Sequence, residues 1–328
     1  MSWHPDFLDG YQSQELALPG VEPAPGEPAD VELVATLVRR VPEGAGSRRA
    51  LLYLHGWNDY FFQTHLADAL TDLGFDFYAL DLRRYGRSLR RGHLRGYVTD
   101  LDDYSVELDA AAEVIMADHD EFVLMGHSTG GLVACLWAAK RPRGLTALIL
   151  NSPWLDLQGS ALVRTLGTPV IDALGSRSPT SVVKLPDLGF YARTLHTSLG
   201  GEWDYDLDLK VTPSPPVRVG WLRAVLIGHQ RVGAGLGVEV PVLVLASVAT
   251  DFSRRWHEGL RTVDTVLDVE QIAARAVRIG RHVTVVRIAE GMHDLVLSAP
   301  EVRDQTLAEI ARFVEGYVNT PAKSPPVV

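Results

Sequence analysis

Short apolar strands alternating with helical patterns predict an α/β chain: a mostly parallel, doubly wound sheet carrying an inserted helical cap. Two observations lead there. Runs such as 50–54, 122–125, 145–150 and 241–246 are apolar nearly throughout, as strands covered on both faces must be. The rhythm then stops from about 155 to 237, a stretch too long for an ordinary loop. It is nevertheless rich in groups that pack, among them Phe190, Tyr191, Trp203, Trp221, Leu222 and Ile227.

Taken in order, 31–41 is rich in β-branched residues and reads as an early strand, followed by the strand 50–54 and the loop His55-Gly56. Leu66, Ala69, Leu70 and Leu73 recur at helical spacing in 64–73, which stops at Gly74. A strand at 75–80 and a helix at 102–117 follow, the latter with Val106, Ala110, Val114 and Ala117 on one face. Residues 122–125 form a strand that breaks at Gly126, and 132–140 form a helix stopped by Pro142. Strands at 145–150, 241–246 and 282–288 and a long amphipathic helix at 301–318 complete the pattern. Within the interrupted stretch, helical pieces are expected near 159–174 and 218–232. The resulting division is a discontinuous core (1–154 and 238–319), a cap (155–237) and a Pro-rich, disordered tail (320–328).

Bulk properties exclude several classes. The formal net charge is −10, against the clustered Lys and Arg that a nucleic-acid or anionic-membrane partner selects. Arg84, Arg87, Arg90, Arg91 and Arg95 form the one dense basic run, which a solvated loop surface explains. Cys135 stands alone, so no intrachain disulfide and no multi-cysteine metal set is expected. No cofactor or metal is indicated: no H-E-x-x-H pattern occurs. The first residues carry no signal-peptide pattern, and no apolar run has the length of a membrane span. A cytoplasmic protein acting on a small molecule is the expectation; oligomeric state is not legible.

The strongest chemical signal is Gly126-His127-Ser128-Thr129-Gly130, a G-x-S-x-G set between an apolar strand and an apolar helix. A serine on such a turn exposes its Oγ above the sheet, and small neighbours allow the sharp backbone. Its hydroxyl needs a base to act as nucleophile. Of eleven histidines, His293 is set apart by its place between the last strand and the last helix. A carboxylate that orients the histidine should lie after the strand 241–246. Asp264, Asp251 and Asp268 are the candidates there, with Asp156 after the preceding strand as a further one. Asp268 also reads as a helix N-cap, with Gln271 three positions on. The backbone N–H groups of Thr129, after the serine, and Trp57, after the strand 50–54, are the candidate oxyanion donors. His55 reads as a brace for that loop, while Asp59 and Tyr60 lie close enough in sequence to reach the same pocket.

Together LYLHGW (52–57), DLRRYGRS (81–88), GHSTGG (126–131) and EGMHD (290–294) resemble the α/β-hydrolase superfamily, and within it the lysophospholipase and monoacylglycerol-lipase-like (serine aminopeptidase-type) branch. The resemblance spans roughly 30–155 and 238–318. It implies an α/β-hydrolase fold and a serine esterase with the triad Ser128, His293 and Asp264. The interval of 29 residues from Asp264 to His293 is similar to the family's acid-to-base spacing. One departure stands out: the family runs from its strand through a small turn into the acid, whereas here 247–252 is followed by an inserted stretch before Asp264. A peptidase or amidase using the same triad is the alternative enzyme, for which Glu202, Asp204, Asp206 and Asp208 offer an acidic patch. The alternative class is a catalytically silent, hydrolase-like binding protein.

Overall fold

The structure is a computed structural model and describes residues 2–42, 44, 46–157, 171, 174–183 and 188–319. It opens with β1 (His4–Pro5), β2 (Tyr11–Ala17), β3 (Val34–Arg40), β4 (Arg49–Leu54), α1 (Thr64–Asp72), β5 (Asp76–Asp81), α2 (Ser105–Asp118), β6 (Glu121–His127), α3 (Thr129–Ala138) and β7 (Leu145–Asn151). Next come β8 (Val182–Val183), α4 (Phe190–Leu195), β9 (Val217–Arg218) and α5 (Val219–Ala234). The chain then returns through β10 (Val242–Ser247), α6 (Val269–Ala276), β11 (Val283–Ile288) and α7 (Pro300–Phe313).

One nine-stranded sheet runs in the order β1-β2-β3-β5-β4-β6-β7-β10-β11, and β8 and β9 form a separate ribbon. From β5 to β11 neighbouring strands are parallel, while β1, β2 and β3 add antiparallel strands at one edge. Except for the half-buried edge strand β11, the parallel strands are buried on both faces, and their side chains alternate between two cores. Leu52, Leu54, Leu124, Leu148, Leu150, Val242 and Val244 face the helices α2, α3, α5 and α6. Leu51, Tyr53, Val123, Met125, Ile149, Leu243 and Leu245 face α1 and α7. The central strands β4, β6, β7 and β10 therefore read as nearly continuous apolar runs although their period is two.

The order of strands matters for function. The chain goes from β4 outward to β5 and then back across β4 to β6, so the connections after β4 and β6 leave in opposite directions. Such a reversal opens a crevice at the carboxyl ends of the two strands. Leu54 pairs with Gly126, which sets both ends level.

The strands and helices expected in the core appear within a few residues of their expected bounds, with α3 beginning at the serine turn rather than at Leu132. The structure departs from the sequence reading in two places. β1 and β2 were not foreseen: β2 (YQSQELA) lies toward the sheet edge and carries a largely polar exposed face. The basic run is a solvated surface only in part: Arg91 is exposed, but the side chains of Arg84 and Arg87 are buried and paired with Glu27, Asp6 and Asp81. Between β10 and α6 the chain makes a 3₁₀ turn at Glu258–Thr262. The expected helix at 159–174 falls almost wholly outside the described residues, and the 320–328 tail lies entirely outside them. The other expected helix in that stretch is α5. It packs into the main core, with Trp221, Leu222, Val225 and Val232 beside α3 and the sheet. Among the described residues no helix is long and apolar enough to cross a membrane.

Candidate active site

Ser128 sits between β6 and α3 with φ +52° and ψ −119°, a backbone conformation that a non-glycine residue adopts only when its surroundings impose it. The surroundings do so. The Ser128 N–H donates to the Asn151 carbonyl at 3.1 Å, and the Ser128 carbonyl accepts the Trp154 N–H at 3.0 Å. Gly130 is obligatory for a second reason: a Cβ there would lie 2.1 Å from the His55 carbonyl oxygen. The first turn of α3 thus rests directly on the end of β4, and a Cβ on Gly56 would lie 3.1 Å from Ser128 Cβ. This contact brings the 55–57 loop, with Trp57, alongside Ser128 and Thr129.

His55 braces that loop, as its position suggested. Its Nε2 accepts the Leu82 N–H at 3.1 Å, which leaves Nδ1 to donate to the Gly56 carbonyl at 2.8 Å. Three indoles stand over the same region: Trp57 lies 4.0 Å from Trp221, and Trp221 lies 5.9 Å from Trp154, between ring centroids.

His293 follows β11 in a buried loop, and its Nδ1 lies 2.9 Å from Asp264 Oδ2. Because an ionised carboxylate only accepts, this contact puts the proton on Nδ1 and leaves Nε2 as the basic nitrogen. The other Asp264 oxygen accepts the N–H groups of Val266 and Leu267 at 2.7 and 2.8 Å, so the carboxylate is held in place from both sides. The remaining carboxylates are engaged elsewhere. Asp251 pairs with His257 at 3.1 Å and caps Ser253, Asp268 caps α6 through the Glu270 N–H, and Asp156 binds Arg275 at 2.8 Å. Of the acidic residues between α4 and β9, Asp204 approaches His196 at 3.7 Å, and the Asp208 carbonyl accepts from Arg95.

A buried network that the sequence did not reveal joins the two halves of the site. Asp294, beside His293, accepts from Asn151 Nδ2 at 2.6 Å, from Gln63 Nε2 at 3.4 Å and from the Val296 N–H at 3.3 Å. The same Asn151, through its carbonyl, receives the Ser128 N–H and lies 3.0 Å from His127 Nδ1. The serine turn and the histidine loop therefore hang on one asparagine–aspartate pair. Burial is the main influence on His127 and holds its pKa below the ordinary histidine value, so the ring is neutral at pH 7. Its ring centroid is 4.9 Å from that of His293. Among the described residues no group of three or more His, Cys, Asp or Glu side chains is arranged to hold a metal ion.

A serine on a strand–turn–helix elbow, at the crevice of a parallel sheet, defines the α/β-hydrolase class. Within it, the chain belongs to the serine aminopeptidase family, S33, whose profile matches residues 45–249. It is similar to a monoacylglycerol lipase of Mycolicibacterium smegmatis, with 25% identity over 62% of this chain and 67% of that one. It is also similar to the phospholipase YtpA of Bacillus subtilis, with 32% identity over 33% of this chain and 41% of the relative, well under two thirds of its length. Among solved structures, a monoglyceride lipase from Saccharomyces cerevisiae superposes with a TM-score of 0.63 at 16% identity, covering 93% of this chain and 96% of that one. A monoacylglycerol lipase from Paleococcus ferrophilus gives 0.64 at 17% identity, covering 88% and 100%. At such identities these structures establish the fold.

Proposed function

We propose that the protein hydrolyses a carboxylic ester through an acyl-serine intermediate, with Ser128 as nucleophile, His293 as general base and Asp264 as the carboxylate that orients it. The buried His293–Asp264 hydrogen bond carries this reading, because it leaves His293 Nε2 free of the proton that a base must lack. In the reaction Ser128 Oγ attacks the carbonyl carbon as its proton passes to His293 Nε2. The resulting oxyanion is received by the Trp57 and Thr129 N–H groups. Collapse expels the alcohol, which takes the proton from His293. Water then enters by the same route in reverse and releases the acid, regenerating Ser128.

The relatives named as lipases and a phospholipase support an ester substrate with an apolar chain, and the indoles of Trp57, Trp154 and Trp221 offer it an apolar wall. We further propose that residues 155–237 act as a cap, of which α5 is the anchored part. The test is a series of p-nitrophenyl esters of rising acyl length, a monoacylglycerol and an aminoacyl p-nitroanilide, each given to the wild type and to Ser128→Ala. Turnover of the esters by the wild type and none by the variant is expected. Preference for the anilide would replace the esterase by a peptidase, and ester turnover that survives in Ser128→Ala would overturn the reading.

A further inference from the structure

Lys210 lies outside the motifs, in the segment between α4 and β9, yet its ammonium is buried beside the candidate site. Its Nζ donates to Asp59 Oδ1 at 2.7 Å, both side chains being almost fully enclosed. The rings of Phe62, Tyr191 and Tyr205 surround the cation at 5.4, 5.7 and 5.5 Å. Tyr191 in turn meets the His293 ring edge-on at 5.4 Å. Asp59 is two residues beyond Trp57, in the loop whose N–H is assigned to the oxyanion.

The pair does not act alone. Asn58 donates to the Val211 carbonyl at 2.8 Å and accepts the Val211 N–H at 3.2 Å, while the Tyr60 hydroxyl accepts the Asp206 N–H at 2.8 Å. Three successive residues of the 58–60 loop are thus tied to the 206–211 segment. Burial alone would raise the Asp59 pKa, but Lys210 foremost among its neighbours carries it below the ordinary value, so the carboxylate is ionised at neutral pH. A buried ion pair contributes little net stability compared with apolar residues of the same volume, whereas it does demand one geometry.

We infer that Lys210 is a positioning residue: through its buried contact with Asp59 it fixes the loop that presents the Trp57 N–H to the developing oxyanion. The inference rests on the esterase reading above. Displacement of an oxyanion donor by a fraction of an ångström acts on the transition state and not on substrate binding, so kcat falls while KM holds.

The test compares wild type, Lys210→Met and the double variant Asp59→Asn/Lys210→Met on p-nitrophenyl butyrate. Kinetics are read together with inhibition by an alkyl trifluoromethyl ketone, which mimics the tetrahedral oxyanion. Lys210→Met is expected to lower kcat about 10–100-fold with little change in KM, and to weaken the ketone by a similar factor. It also strands the Asp59 charge, so its thermal midpoint drops. The double variant relieves that charge and regains the midpoint but not kcat; should Lys210→Met fail to fold, it carries the test alone. Recovery of kcat in the double variant, a loss carried by KM, or unchanged ketone binding would each overturn the inference. Failure of the esterase reading is seen separately, as a wild type that turns over no ester.

Discussion

Asp264 returns to the end of β10 by pairing with Ala249: its N–H donates to the Ala249 carbonyl at 2.9 Å, and its own carbonyl accepts the Asp251 N–H at 3.0 Å. The inserted stretch between them is an excursion that leaves the strand end and comes back to it. Asp264 is thereby held at the strand end, with its Oδ2 2.9 Å from His293 Nδ1. Asp264→Asn is expected to lower kcat on the order of 10³–10⁴-fold, by favouring the wrong imidazole tautomer. Asp251→Asn keeps wild-type kcat. Asp268→Ala keeps it too, losing about 1 kcal/mol of stability with the α6 cap. Steady-state kinetics and urea melts of the three variants check this.

Gly130 tolerates no side chain. An alanine Cβ would press on the backbone carbonyls of His55 at 2.1 Å and Leu54 at 2.7 Å, neither of which can swing aside. Gly130→Ala is expected to cost at least about 1–3 kcal/mol and to move the 55–57 loop. Urea unfolding gives the first quantity, and ester turnover per folded molecule reports the second.

The asparagine–aspartate pair makes a sharper demand. Asp294→Ala strands the Asn151 and Gln63 amides in a buried site, at about 1–3 kcal/mol for each donor left unmatched. Asp294→Asn keeps the shape and loses less. A denaturant series that ranks the two variants equally would contradict the network.

Stability should also depend on the protonation of His229. Burial is the main cause that pushes its pKa down to about 4, its Nε2 lying 2.9 Å from the Trp154 carbonyl. The unfolded chain binds a proton near pH 6.5 and the folded one does not until about 4, so stability rises with pH across that window. The span amounts to about 3 kcal/mol. His65 and His127, held low mainly by burial, act in the same direction. Comparing wild type with His229→Gln in urea at pH 4.5 and 7 isolates this residue, and the variant should show the shallower dependence.

What was legible in the sequence follows from range. Leu51–Leu54 and Val242–Leu245 declare themselves because strands covered on both faces must be apolar residue by residue. Ser128 is marked by its own neighbours, since an elbow needs small residues within a few positions. β2 escapes notice because a half-exposed strand near the sheet edge alternates weakly and carries Gln, Ser and Glu. The Asp59–Lys210 and Asn151–Asp294 pairs leave no local trace: each joins residues more than a hundred positions apart, and only the fold brings them together. The same holds for Arg84 and Arg87, whose partners Glu27 and Asp6 come from the N-terminal region. Asp264 lies between these cases, one of several carboxylates after β10 until the family's acid-to-base interval singles it out.

The central claim is that Ser128 is an activated nucleophile. It is tested most directly by treating the wild-type protein with a fluorophosphonate, measuring its intact mass and mapping the adduct by peptide sequencing. The account predicts a single adduct on Ser128, strongly slowed in His293→Ala. No adduct on the folded wild type, or an adduct on another residue, would contradict it.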